Sequence, residues 1–205
     1  MRKLIVLFMA LCIGLGSVMA QQDKKAEKAA KKAQKEAQKE AKKAAKQAEK
    51  EARIKEVMTA STGVFKDALE ALVGRHFVLE ADRVETKRGQ FTNVTPSTNF
   101  VLMQGEKASI QLAFNGAIAG PNGIGGVTVE GTASAVDFDV DKKGNVTFEM
   151  SVHGTGVSAR LFVRMSKGSN RCTAAVSPDF RSNRISFTGH LLPLNQSRVF
   201  KGRSL

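Results

Sequence analysis

Three histidines are the residues of this chain best suited to bind a metal or transfer protons: His76, His153 and His190. Imidazole is a common zinc ligand and an acid–base group near neutral pH. No cysteine or acidic residue stands at metal-ligand spacing from any of them, and each lies near the end of a predicted strand. They would form one site only if the fold brought them to a single rim. We therefore expect scattered histidines, no metal site and no cofactor.

Three aspartates form an alternating row at Asp137, Asp139 and Asp141. Residues two apart in a strand share a face, so the row is compatible with a weak Ca²⁺ site or with a solvated edge. Because Asp141 opens a turn and is followed by Lys142 and Lys143, the pattern favours the solvated edge.

A glycine-rich connection is the candidate ligand-binding segment. It resembles a phosphate loop only in glycine content, because it lacks the Lys-Ser/Thr ending and precedes a predicted strand instead of a helix. A long connection of this kind can cover the mouth of a barrel, and such loops often carry function. The candidate residues are Gly120, Asn122, Gly123, Gly125 and Gly126.

Nucleophilic catalysis has no recognisable signature in the chain. There is no Gly-x-Ser-x-Gly turn, and no serine has a His and Asp arrangement that can be read from sequence order. Cys172 is the one cysteine left once Cys12 is removed with a signal peptide, and its alternating context favours a buried, inert thiol over a reactive one. We expect a protein that is not an enzyme.

Residues 1–20 have the organisation of a secretion signal. Arg2 and Lys3 precede an apolar run from Leu4 to Gly16, and small residues precede Gln21. The run is too short to span a bilayer permanently. We expect cleavage after Ala20 and an exported protein, either periplasmic or secreted.

Residues 21–56 form a basic arm of Lys, Ala, Glu and Gln. Its alanines recur about every 3.67 residues, which is typical of one long exposed α-helix with a narrow Ala stripe. The arm carries a net charge of +6 of the chain's +13. It is interpreted as a solvated spacer, as a cationic arm that binds anionic envelope components, or as a weakly self-associating coiled coil. Export and the lack of Tyr and Trp argue against nucleic acid as a partner. Nothing in the pattern indicates an oligomeric state.

Residues 57–205 have the pattern of a mainly β domain behind a short helix. Apolar residues from Val57 to Val73 have helical spacing and end at Gly74. Period-two alternation then predicts eight strands, near 76–87, 98–104, 107–115, 126–140, 145–153, 157–165, 170–177 and 184–192. Hairpin-type turns join most of them. This order predicts a small eight-stranded antiparallel up-and-down, lipocalin-like barrel.

The apolar phase changes once within the fourth predicted strand. Val127 and Val129 lie in one phase and Val136 and Phe138 in the other, which predicts a β-bulge near Ala135. The outward positions of the strands that follow include Glu149, Arg160 and Arg164, charges that a lipid-facing barrel wall would not carry. We therefore expect that the barrel does not span a membrane.

Four segments carry a resemblance: Arg75–Asp82, Gly120–Gly131, Gly168–Arg171 and Phe200–Leu205. Together they resemble an envelope family of the Bacteroides lineage catalogued as domain of unknown function 4251, over roughly residues 60–205. The resemblance implies a secreted or periplasmic protein with a lipocalin-like barrel, and it brings no catalytic residues.

Two functions remain open at this point. The first is a non-catalytic envelope protein whose barrel binds a partner or a small apolar ligand. The alternative is a purely structural or interaction protein with a solidly packed barrel. An eight-stranded barrel can be filled by its own side chains or hold one small ligand, and the predicted inward residues suit both.

Overall fold

The computed structural model describes residues 2–113, 126–155, 158–179 and 184–200, with side chains for residue 28 and from residue 31 onward. Two helices precede nine strands in this part of the chain. They are α1 (Arg2–Ala60), α2 (Gly63–Val73), β1 (His76–Thr86), β2 (Phe91–Asn93), β3 (Phe100–Gln104), β4 (Lys107–Ala113), β5 (Gly126–Val140), β6 (Val146–Gly154), β7 (Ser158–Met165), β8 (Arg171–Pro178) and β9 (Ile185–Pro193). A 3₁₀ turn follows at Leu194–Gln196. The chain divides into two compact units, residues 1–49 and residues 50–205.

The strands form a closed antiparallel barrel. Strand β1 pairs with β3, and β3 to β9 then pair in chain order. The barrel closes where β1 pairs with β9, from Phe77 opposite Pro193 to Thr86 opposite Ile185. The predicted eight-stranded, mainly β fold is confirmed, with β2 as one extra strand that pairs with the second half of β1.

A β-bulge bends β5 at the predicted position. The register of β5 against β6 shifts between Ser134 and Asp137, and Ala135 has a positive φ of 48°. Because of the extra residue, Ala133 and Val136 both pack against the core. Val127, expected on the apolar face, is instead 37% exposed. It is the second residue of β5, so it lies at the end of the barrel and beyond the packed layers.

The barrel interior is densely packed at one end, which α2 closes. Phe65, Leu69 and Leu72 of α2 belong to the same core as the inward residues of the strands. Phe77 and Phe148 meet edge to face with ring centroids 5.3 Å apart. The largest inward strand residues are at most 2% exposed: Phe77, Leu79, Met103, Phe148, Leu161, Met165, Phe187 and Leu191.

The predicted helix from Val57 to Gly74 is interrupted. Val57 belongs to α1, and Thr62, with extended backbone (φ −136°), separates α1 from α2. The Ser61 hydroxyl donates to the Val57 carbonyl oxygen (2.6 Å), which caps the end of α1. The helix α2 ends at Val73 and is followed by Gly74, as predicted. Gly74 does not adopt the left-handed backbone that often ends a helix (φ −74°). Arg75 adopts it instead (φ 57°).

The last turns of α1 pack on the barrel. Lys50 forms an ion pair with Asp137, and Ile54, Val57 and Met58 are partly buried against the core. Side chains 31–49 are exposed. The prediction that the whole arm 21–56 buries almost no surface is therefore wrong for Lys50–Glu56, because Ile54 supplies an apolar contact. Among the described residues, no helix has the length and apolar character needed to cross a bilayer.

The C-terminal segment 194–200 covers part of the outer wall. The Ser197 hydroxyl and the Arg198 amide donate to Glu80 Oε1 (2.8 and 3.1 Å), and Gln111 Nε2 donates to the Phe200 carbonyl oxygen (2.7 Å). Outward residues near this segment, such as Val78 and Phe100, are therefore fully buried although they lie outside the main core.

Candidate functional site

The barrel end opposite α2 has an opening between two strands. Strand β3 is short, so β1 loses its β3 partner after Glu80 opposite Phe100. A register shift between Ala81 and Arg83 follows, and β1 then pairs with β2 on that same side. Strand β2 thus takes the place of β3 beside the second half of β1.

Strand β4 extends beyond β3 on the other side of this opening. The last β3–β4 pair is Phe100 opposite Gln111, and β4 continues to Ala113. There the side chain of Asn99 replaces the missing strand, since its Oδ1 accepts the amide hydrogen of Ala113 (2.8 Å). The edge of β4 therefore faces β2 with no strand between them.

A pocket of about 340 Å³ occupies this opening. Its volume lies at the lower end of the range for small-molecule sites. It combines apolar side chains with a polar rim, and none of the described residues that line it is charged. The lining residues are Val84, Thr86, Gln90, Thr92, Asn93, Val94, Thr95, Asn99, Leu112 and Ala113.

The rim holds polar side chains that the protein itself does not use. Within the described part of the chain, the side chains of Thr86, Gln90, Thr92, Asn93 and Thr95 make no hydrogen bond, although the Thr95 carbonyl oxygen accepts from the side chains of Thr98 and Asn99. These hydroxyls and amides can donate to and accept from a bound molecule. They are neutral at physiological pH, so the arrangement suits binding of an uncharged ligand and supplies no acid or base.

Only Gly126 of the five predicted ligand-binding residues lies in the described part of the chain. Gly120, Asn122, Gly123 and Gly125 lie outside the described residues. Gly126 begins β5 and pairs with Ala113, which lines the pocket. A methyl group at Gly126 would overlap the backbone of Leu112, so the close approach of β4 and β5 at this end requires glycine.

A larger and shallower groove of about 970 Å³ runs along the outer wall of β6 to β9. Its charged residues already have partners. The Arg171 guanidinium donates to both carboxylate oxygens of Asp82 (2.9 and 3.1 Å). Asp141 accepts three hydrogen bonds within its own turn, from the Lys143 amide and from the amide and side chain of Asn145 (2.7–2.9 Å). We therefore take the end pocket, whose rim holds five unused polar side chains, as the candidate site.

The three histidines lie at separate places. His76 contacts the Gly74 carbonyl oxygen through Nδ1 (2.5 Å), and His153 contacts the hydroxyls of Ser134 and Ser158. His190 lies between Arg171 and Asn170 (3.3 and 3.1 Å). Among the described residues, no three His, Cys, Asp or Glu side chains are grouped to hold a metal ion.

The aspartate row is divided among different partners. Asp137 pairs with Lys50, and Asp141 organises the β5–β6 turn. Asn145 donates hydrogen bonds to Asp141 that lower the pKa of this carboxyl below its ordinary value. The bond from the Asn145 side chain has the largest effect, and the bond from its backbone amide the next largest.

Cys172 is buried, and this burial raises the pKa of its thiol to about 12. The thiol is therefore protonated and unreactive at neutral pH.

Sequence patterns did not reveal β2 or the polar rim. Strand β2 has three exposed residues, too few for an alternation to be recognised. One signal was available in β1, where inward residues change phase from Leu79 and Ala81 to Val84. That change marks the irregularity at Asp82, after which β1 exchanges β3 for β2.

Fold and site together define a small closed antiparallel β-barrel with one extra strand and an uncharged pocket at one end. The sequence model of the family described as domain of unknown function DUF4251 matches residues 59–191. The chain belongs to this family.

A solved structure supports the assignment. The crystal structure of a DUF4251 family protein from Bacteroides eggerthii DSM 20697, determined at 1.95 Å resolution, is 45% identical to this chain. The similarity covers 72% of this chain and 99% of the other, with a TM-score of 0.60. A comparison with curated proteins gives no match.

Proposed function

We propose that this protein is an exported, non-catalytic binding protein that holds a small uncharged ligand at the open end of its barrel. The observation that carries the proposal is the pocket between β2 and β4, which combines an apolar wall with unused polar side chains. Small-molecule sites typically have this composition, with a few polar groups that fix the orientation of the ligand.

The chemistry of the pocket supports binding over catalysis. Val84 and Leu112 are buried apolar residues at its inner side, and hydroxyl and amide groups surround them. General acid–base catalysis needs a titratable group near the reacting atoms, and the lining residues include none. The expectation of a small apolar ligand is thereby narrowed to an uncharged ligand that also accepts or donates hydrogen bonds.

The test fills the pocket and compares the result with a matched change elsewhere. Thr92→Trp places a large ring at the rim, whereas Thr173→Trp places the same ring on the outer wall, where Thr173 is also an exposed strand residue. We expect native mass spectrometry of protein purified from its own host to show a bound mass. Thr92→Trp should lose it and Thr173→Trp should retain it.

Two outcomes would contradict the proposal: no bound mass in repeated preparations, or equal retention by both variants. The same spectra test export. A chain that begins at Gln21 supports it, and a chain that retains Met1 argues against it. A lipid on Cys12 would instead indicate a lipid-anchored protein and would contradict a free periplasmic or secreted one.

A structural or interaction role is the second candidate. It is favoured by the dense packing of the barrel at the α2 end, where Phe77, Phe148 and Leu161 are at most 1% exposed. Side chains buried in this way favour a solidly packed interior at this end of the barrel. This role becomes the better explanation if the protein purifies without a ligand.

We further propose that the basic arm binds anionic envelope components. Residues 21–49 contain ten lysines and five acidic residues, a net charge of +5. Side chains 31–49 are exposed, so their charges are available to a partner. Electrostatic attraction of this kind is strongly screened by salt.

The arm is tested with two shortened chains. A chain beginning at Lys50 should keep its free energy of unfolding within about 0.5 kcal/mol, since side chains 31–49 are exposed. A chain beginning at Val57 should lose about 1 kcal/mol more, because it lacks the partly buried Ile54. Chemical denaturation measures both values.

Envelope binding is measured by pelleting with isolated envelope material over a salt series. The full chain should pellet at low salt and dissociate as salt rises, whereas the chain beginning at Lys50 should not pellet. A full-length control with Gln at Lys31, Lys32, Lys35, Lys39 and Lys42 keeps the arm length and removes the net charge of residues 21–49. Equal pelleting by this control and the natural chain would show that the arm is a spacer.

A further inference from the structure

The hydrogen bonds between β1 and β2 leave one edge of β2 free. The Val94 amide donates to the Asp82 carbonyl oxygen (2.9 Å), and the Thr86 amide donates to the Gln90 carbonyl oxygen (2.8 Å). Antiparallel hydrogen bonding alternates along a strand, so every second residue of β2 directs its backbone groups toward β1.

The intervening residues direct their backbone groups the other way. By this alternation, the N–H and C=O groups of Phe91 and Asn93 point away from β1. Over the described residues, β2 pairs with β1 alone. These two residues therefore present unused donors and acceptors along the free edge of the strand, a typical template for another strand.

The end pocket lies where a neighbouring strand would be. Thr92 and Asn93 of β2 line one side, and Leu112 and Ala113 of β4 line the other. We propose that an extended, uncharged peptide segment binds in this opening as an added strand on the free edge of β2. This inference rests on the proposed function, for which it names the class of ligand.

The surroundings suit a short peptide strand. Three residues of β2 extend over about 10 Å and offer backbone bonds to a segment of similar length. Alternate side chains of such a segment would meet Val84 and Leu112 inside the pocket. Phe91 lies at the same edge and is 59% exposed, and the Arg83 guanidinium lies 4.0 Å from its ring centroid. Its ring offers an aromatic surface to those side chains of the peptide that point away from the pocket.

The experiment uses the peptide acetyl-Thr-Val-Thr-Val-Thr-amide as the probe and the full chain as the protein. We expect the amide protons of Phe91 and Asn93 to become protected from hydrogen exchange when the peptide is added. Two further forms of the peptide are N-methylated at alternate residues, one at the odd and the other at the even positions. Each form therefore lacks the N–H donors along one of its two edges. One form should bind at least about tenfold more weakly than the parent, and the other should bind nearly as well.

Two variants at one position separate backbone from side-chain recognition. Asn93→Ala removes the side-chain amide of a pocket residue but keeps the backbone N–H, so it is the reference for loss of side-chain recognition alone. Asn93→Pro also removes the backbone donor, which β1 does not use, and should bind the peptide about tenfold more weakly than Asn93→Ala. If the proline variant does not fold, the N-methylated peptides decide the question.

The outcomes distinguish this inference from the function on which it rests. Unchanged exchange at Phe91 and Asn93, or equal binding of both N-methylated peptides, overturns strand addition. A bound non-peptide mass that Thr92→Trp removes supports the proposed function and also overturns strand addition. A peptide found bound in protein from the host, and bound more weakly by Asn93→Pro than by Asn93→Ala, supports both.

Discussion

Replacing Phe148 with alanine is expected to lower the free energy of unfolding by about 4 kcal/mol. The Phe148 ring is 1% exposed and packs edge to face on Phe77, with centroids 5.3 Å apart. Removing it leaves a cavity in the most densely packed part of the barrel, and Phe→Ala changes in such sites typically cost about 3–5 kcal/mol. Chemical denaturation measures the loss.

A neighbouring residue provides the matched control. Glu149 is exposed on the opposite face of the same strand, so Glu149→Ala should cost less than about 0.5 kcal/mol. Leu161 and Arg160 form an equivalent pair on β7, with an expected loss of about 3 kcal/mol for Leu161→Ala. Equal losses for inward and outward residues would show that the assigned strand faces are wrong.

Gly189→Ala is expected to cost about 3 kcal/mol, at the upper end for overpacking. Gly189 lies opposite Ala81 where β9 closes the barrel against β1. An added methyl group would lie 2.7 Å from Ala81 Cα and 2.8 Å from the Glu80 carbonyl carbon, and it would overlap the Glu80 carbonyl oxygen. Backbone atoms cannot move aside as a side chain does, so the two strands must separate locally. Thermal or chemical denaturation measures the effect.

Gly168 is the control for this substitution. It lies in a turn with a positive φ of 78°, and a methyl group there would meet no atom within 4 Å. Gly168→Ala therefore measures backbone strain without steric overlap and should cost about 1–2 kcal/mol. A Gly189→Ala loss no larger than the Gly168→Ala loss would contradict the close approach of β1 and β9.

The barrel was predictable because its strands bury one face. In β6 the four apolar residues that alternate along the strand, Val146, Phe148, Met150 and Val152, are all buried. One buried face leaves a period of two in the sequence, and a bulge changes the phase of that period. The bulge at Ala135 could be predicted for this reason, because the apolar residues before and after it lie in opposite phases of the alternation.

The candidate site was not predictable in the same way. It depends on β2 and β4 facing each other, and neither strand shows this in its own residues. Strand β2 is exposed, and the end of β4 is defined by a side chain, Asn99, that replaces a missing strand. The rim residues Thr92 and Asn93 are ordinary loop and strand residues in sequence. Only the long-range pairing of β1 with three different strands places them around a pocket.

The pairing of β1 with β9 also has a consequence for how the chain reaches its folded state. These strands are separated by about 100 residues, so the barrel closes through a contact that is distant in sequence. Such contacts require a large loss of chain entropy before they form, and proteins rich in them fold slowly. Strands β2 to β8 are all synthesised before β9, the strand that pairs with β1 to close the barrel. The barrel therefore cannot close until its last strand is present, and the pairing of β9 removes the free edges of both β1 and β8.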